Sequence, residues 1–169
     1  NLYTFNKYAR KEFRKLEIKD RFVIEYDSAP AELNSKELNR LGINDSELQV
    51  YGYIPVMVTA QCINKTASGC DSVKKILYLK DRKNIKFAVR NNCTYCYNTI
   101  YNSSPIYLID RTEDIKKLAP KSVRLSFSIE DGKEVKKIIQ TAVRTFLKDE
   151  RPDNVIADFT RGHFLRGVE

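Results

Sequence analysis

The chain carries four cysteines, Cys62, Cys70, Cys93 and Cys96, and all of them lie within residues 62–96 of a 169-residue sequence. Their pattern is Cys62-x7-Cys70-x22-Cys93-x2-Cys96. A pair separated by two residues lets one backbone turn point both sulfurs at a single ion. Four thiolates suit tetrahedral zinc and a cubane iron-sulfur cluster equally well, and spacing does not separate the two. Two disulfides or a few inert buried thiols are the competing readings, and a reducing cytoplasm, where thiols persist, favours metal ligation over disulfides.

Other residues with chemical potential are more scattered. The single histidine, His163, sits in Thr160-Arg161-Gly162-His163-Phe164-Leu165-Arg166-Gly167. There Arg161 and Arg166 are placed to bind an anionic ligand bidentately while the glycines let the backbone approach it. The competing reading of His163 is a surface or packing residue, with no nucleophile visibly paired to it. Arg124, at the start of an expected strand, and Glu130, just after it, are placed to face a substrate at the carboxyl end of a barrel, or else to form an ordinary ion pair. Ser103, Ser104 and Ser126 lack an elbow or triad context, so a serine protease is not supported. No His-Glu-x-x-His occurs, and four thiolates around zinc would leave no open catalytic position. Tyr95, Tyr97, Tyr101 and Tyr107 crowd the cysteine pair; such tyrosines stack on bases in some proteins and fill sheets in most.

These groups need a scaffold, and the bulk numbers bound it. The chain is 42% hydrophobic and 31% charged, which excludes a disordered chain and suits one domain or a large fragment of one. Lys and Arg outnumber Asp and Glu by 30 to 22, a net charge of +8, so anions and, among large partners, nucleic acid are the expected company. The basic pairs are spread along the chain, as on the solvated faces of helices and hairpins. No run approaches the roughly 18 apolar residues that cross a bilayer, and the start resembles no signal peptide. A cytoplasmic location and no membrane partner are therefore expected. The missing initiator Met and aromatic opening lead us to expect a piece of a longer chain.

Residues 2–5 read as a strand and 7–16 as a helix. Residues 21–26 read as a strand broken by Asp27-Ser28-Ala29-Pro30, and 35–41 as a helix closed by Gly42. The continuous apolar run 48–59 reads as one strand buried on both faces, bent at Gly52 and Pro55. Residues 75–79 and 86–89 flank a polar turn and predict a β-hairpin inserted at about 74–91. Strands at 106–109 and 123–127 bracket a helix at 112–118, and 132–148 is the clearest amphipathic helix. Strands alternating with helices predict an α/β fold: βα units around a parallel sheet, part of a (β/α) barrel whose exposed edges its remaining strands cover. Residues 1–149 form this unit and 150–169 an irregular tail.

Several blocks resemble the collagenase-like peptidase family U-32. Glu47-x4-Gly52 followed ten residues later by Cys62 is similar to that family's signature block. Leu79-Lys80-Asp81-Arg82, Phe87-Ala88-Val89, Cys93 with Ile100-Tyr101-Asn102-Ser103, and the closing Phe159-Thr160-Arg161-Gly162-His163-Phe164 are similar to later stretches of longer members. Pro55 departs from the pattern, standing where some members have a cysteine, which leaves Cys93 and Cys96 to take its place. The resemblance implies the C-terminal part of a barrel enzyme whose first half lies upstream. It also implies either proteolysis of collagen-like substrates or hydroxylation of tRNA, rRNA or quinone precursors with a cysteine-held iron-sulfur cluster. Thiolates and positive charge without hydrolytic machinery favour RNA modification, with peptidase activity and a zinc-stabilised noncatalytic binding module as alternatives.

Overall fold

The computed structural model describes residues 3–20, 25–70, 73, 76–152 and 156–166. Its elements run α1 (Lys7–Asp20), β1 (Asp27–Ser28), α2 (Ser35–Leu41), β2 (Ser46–Gly52), β3 (Pro55–Thr59), α3 (Ile63–Ser68), β4 (Ile76–Lys80) and β5 (Lys86–Asn92). A short 3-10 turn, Cys93–Tyr95, then leads into β6 (Tyr97–Tyr101), β7 (Ile106–Tyr107), α4 (Thr112–Leu118), β8 (Ser122–Leu125) and α5 (Gly132–Leu147).

The fold is mixed α/β with two sheets. In the first, β2 pairs parallel with β1 and β8 and antiparallel with β7. The second is antiparallel throughout, in the order β3-β6-β5-β4. The expected parallel sheet is thus present only in part: four of the six strand pairings among the described residues are antiparallel, and they show no closed barrel. Connection length explains the difference. The tight links 81–85 and 93–96 can join only antiparallel neighbours, whereas β1 reaches β2 through a helix.

The first sheet holds the core. Leu38, Val50, Tyr107, Ile109, Ile115 and Ile138 are each at most 4% exposed and belong to one packed cluster. Its helices start where the sequence demands. Asn34 and Asp131 each close a capping box with the glutamate three residues on, Glu37 and Glu134, and such a cap stabilises by about 1 kcal/mol. Beneath α1, Arg10 bonds Asp27 Oδ2 at 2.6 Å and Ser46 Oγ at 2.6 Å, tying the helix to β1 and β2.

The run 48–59 is two strands in different sheets. Gly52 has φ +137°, and a Cβ there would lie 2.2 Å from the Ser126 carbonyl oxygen, so only glycine allows β2 to end this close to the segment after β8. β2 is buried almost throughout, as its unbroken hydrophobicity predicts, but β3 is exposed along most of its length. Residues 21–24 of the expected strand 21–26 lie outside the described residues. The strand observed, β1, lies at the expected break, because polar partners of Asp27 and Ser28 outweigh their low strand propensity. The hairpin β4–β5 pairs from Ile76↔Arg90 to Lys80↔Lys86. β6 and α3 carry no sequence signal that marked them in advance. The tail is irregular but tied down: Thr160 bridges Ile106, and Phe164 is 4% exposed.

Candidate functional site

Strand register gathers the four cysteine segments at one end of the second sheet. The turn that carries Cys93 and Cys96 joins β5 to β6, with Asn92 paired to Tyr97. β3 runs antiparallel to β6 and pairs Thr59 with Asn98, so the chain leaves β3 beside this turn and reaches Cys62, the N-cap of α3. Asn98 fastens the approach by donating from Nδ2 to the Gln61 carbonyl at 2.6 Å. From the other side, Val73, three residues after Cys70, accepts a contact from Cys93 Sγ at 3.4 Å. Cys62 and Cys93 are half-buried, Cys70 and Cys96 exposed.

Buried amides frame these thiols. Asn64, Asn91 and Asn98 are 4%, 2% and 0% exposed, and each stands two residues from a cysteine. Asn91 Nδ2 donates to Cys93 Sγ at 3.4 Å and to the Val73 carbonyl at 3.0 Å. Hydrogen bonds to ligating sulfurs tune a cluster's potential, so Asn91 is suited to that role. Cys96 adopts the left-handed conformation, φ +52°, which turns its backbone N–H onto the Cys93 carbonyl. Thiolates are the right donor type for zinc or an iron-sulfur cluster. The side chains themselves are not drawn together: among the described residues, no three Cys, His, Asp or Glu side chains are arranged to hold a metal ion.

A second polar constellation lies across the paired strands β1, β2 and β8, with Glu47 and Gln49 second and fourth in β2. In-register pairing sets Gln49 beside Arg124. Arg124 bonds Glu47 through Nη1 and Gln49 Oε1 through Nη2 at 3.0 Å, while Ser28 Oγ donates to Glu47 Oε1 at 2.9 Å. The Arg124 charge is thereby matched by a carboxylate whose side chain is 9% exposed. Gln49, Tyr53, Tyr101, Arg124, Ser126 and Ser128 line a cavity of 330 Å³. A neighbouring apolar cavity of 210 Å³ shares Gln49, Pro55 and Arg124 with it and adds Arg161 and Phe164.

Comparisons with protein-family models, with curated proteins and with solved structures returned no match.

The structure separates the residues that the sequence nominated. Arg124 and Arg161 meet at the apolar cavity. Arg161 is held by Asp110 Oδ2 at 2.7 Å and lies over the Phe159 ring, 4.4 Å from its centroid. Glu130 accepts from the backbone N–H groups of Ser128 and Ile129 at 2.6 and 2.9 Å, shaping the loop after β8. Its charge, after burial, raises the Tyr51 and Tyr53 phenols above their ordinary range. His163 and Arg166 are exposed in the closing turn. Sequence reasoning missed Gln49, Tyr53 and Ser128. The available signal was their position just inside or beyond the ends of parallel strands.

Proposed function

We propose that this chain is part of a barrel enzyme of the collagenase-like family U-32 type, that Cys62, Cys70, Cys93 and Cys96 hold an iron-sulfur cluster, and that it acts on RNA. The observation that supports the reading is the register of β3, β5 and β6, which brings the segments of Cys62, Cys93 and Cys96 to one sheet end, where Val73, three residues after Cys70, meets Cys93 Sγ. The cluster would supply electron-transfer or structural capacity, and Asn91 would hold one of its sulfurs. The parallel strands β1, β2 and β8 would extend into the remaining strands of the barrel.

The β4–β5 hairpin supports RNA as the substrate. Pairing and strand alternation put Lys80, Lys86, Arg90 and Tyr78 on one face, all exposed. Lys80 and Lys86 stand directly opposite each other. Like charges so placed repel, and a phosphate backbone across them would relieve the repulsion. Tyr78, 63% exposed, opposite Ala88 and next along that face from the lysine pair, offers a stacking surface. Peptide substrates gain no comparable support, since among the described residues no nucleophile is paired with a general base.

Anaerobically purified protein analysed for iron, zinc and acid-labile sulfide tests the cofactor, with a visible iron-sulfur absorbance band expected and lost in Cys93→Ser. Zinc without iron would instead favour the noncatalytic module. tRNA affinity should fall with salt, and Lys86→Ala should lower the slope by about one. A failure to bind tRNA at any salt, or cleavage of denatured collagen that survives Cys93→Ser, would sink the RNA reading.

A further inference from the structure

We infer that the open edge of β3 is an interface between two copies of this chain, joined strand to strand about a two-fold axis at Met57. This interface is independent of the proposed function, since it involves neither the cysteines nor RNA.

Register leaves the edge unfinished. Met57 pairs with Ile100, Ile100 with Val89 and Val89 with Leu77, so one apolar row crosses all four strands of the second sheet. Residues directly opposite each other share a face. Ile100 and Val89 are 9% and 0% exposed, but Met57, where the row stops, is 57% exposed. β3 ends the order β3-β6-β5-β4, and among the described residues only β6 pairs with it. Alternate residues of an edge strand turn their N–H and C=O groups outward, which makes a template for one more strand.

Charge selects the partner. Residues 48–64 contain no Asp, Glu, Lys or Arg in a chain that is 31% charged, whereas exposed edges are ordinarily guarded by charged side chains. A neutral strand gains nothing from an acidic or basic partner. It does let two chains of net charge +8 meet without setting lysines against each other. The opposite edge differs, because β4 carries an exposed Lys80 directly across from Lys86. Joining β3 to β4 of the next copy would also leave fresh edges at both ends and grow a filament, whereas β3 against β3 closes on itself.

The sequence of β3 fits its own reverse. Antiparallel pairing centred on Met57 sets Val56 opposite the partner's Val58 and Met57 opposite its own counterpart. The apolar row then runs unbroken through eight strands, antiparallel throughout as this sheet already is. Val56, Met57 and Val58, now 55%, 57% and 65% exposed, each lose apolar surface to water in the pair. A single short strand pair falls below the about 1,200 Å² of a standard complex, so the association is weak, with a dissociation constant of roughly 0.01–1 mM.

Sedimentation velocity of the whole protein from about 10 μM to about 1 mM, under reducing conditions and without nucleic acid, tests the inference. The wild type should pass from monomer to dimer and stop there. Met57→Lys removes apolar contact and sets like charges against each other across the axis, and it should weaken pairing roughly tenfold. Met57→Glu should do the same. An equimolar mixture of the two variants should recover the wild-type affinity or better, since unlike charges then face each other. Added salt should tighten the dimer or leave it unchanged by screening two cationic chains from one another, the reverse of the effect expected on tRNA binding. A wild type that stays monomeric to about 1 mM would overturn the inference and leave the edge to a strand from another protein. Growth beyond the dimer, a dimer dispersed by salt, variants that associate like the wild type, or a mixture no tighter than its components would overturn it too.

Discussion

The two sheets are stabilised by different means. The first packs with residues of α2, α4 and α5 in one core: β2 is buried nearly end to end, and the large packed cluster, from Leu38 through Ile138 to Phe164, belongs to it. The second has only Ala88, Val89, Ile100 and Tyr101 as buried apolar residues, whereas Val56, Met57 and Val58 on its edge are 55%, 57% and 65% exposed. Its interior is completed by amides, Asn91 and Asn98, rather than by hydrocarbon. Hydrophobic burial contributes about 25 cal/mol per Å², so the first sheet can stand on its packing. The second has far less to bury, and a group bridging its cysteine segments would add what the side chains lack. The division follows: the first sheet holds the Arg124 constellation over its packed core, and the second carries the thiols at one end.

Gly52→Ala probes the join between the sheets and should have the largest effect. The added methyl meets the Ser126 carbonyl at 2.2 Å in a backbone conformation of φ +137°, so a loss of about 3 kcal/mol or more is expected in denaturant unfolding. A loss under about 1 kcal/mol would show that β2 and the segment after β8 are not locked together.

Alkaline pH should act next, again on the first sheet. Burial and then Glu130 raise the Tyr51 phenol well above its ordinary value, and burial raises Tyr53 in the same direction. The folded state therefore holds these protons more tightly than the unfolded one. Stability is unaffected below about pH 10 and falls as the pH rises beyond it. Denaturant melts at about pH 9 and 11 should show the loss, and Tyr51→Phe should reduce it. An equal loss in that variant would place the titrating groups elsewhere.

Val58→Thr, on the exposed edge of the second sheet, should change stability by no more than about 0.5 kcal/mol. A larger cost in thermal unfolding would mean that β3 is covered, and the contrast between the sheets would have to be withdrawn.

Much of the first sheet was legible beforehand. The helices at 35–41 and 112–118 match their expected bounds, and the amphipathic run 132–148 is α5, because periodicity and caps are local properties. The β4–β5 hairpin was legible for the same reason. β6 was not, since Tyr97-Asn98-Thr99-Ile100-Tyr101 has polar residues facing inward and its strand character comes from two neighbours. β1 was not anticipated, because Asp27 and Ser28 are weak strand formers, held by Arg10, Glu47 and Ser46 from elsewhere in the chain. Of the candidate residues, Arg124 and Arg161 were nominated from type and position, but no spacing rule could have joined them to Gln49, Tyr53 or Ser128.

By itself the sequence determined which atoms are on hand: four thiols within residues 62–96, a net charge of +8, one histidine, and helices that start and stop at their own caps. Only the tertiary structure decided who meets whom. Parallel pairing set Arg124 against Glu47 and Gln49 from 77 and 75 residues away, and antiparallel register brought Gln61 to Asn98 across 37. Such pairings are long-range because they depend on how separate strands share one sheet, which no local stretch of chain encodes alone.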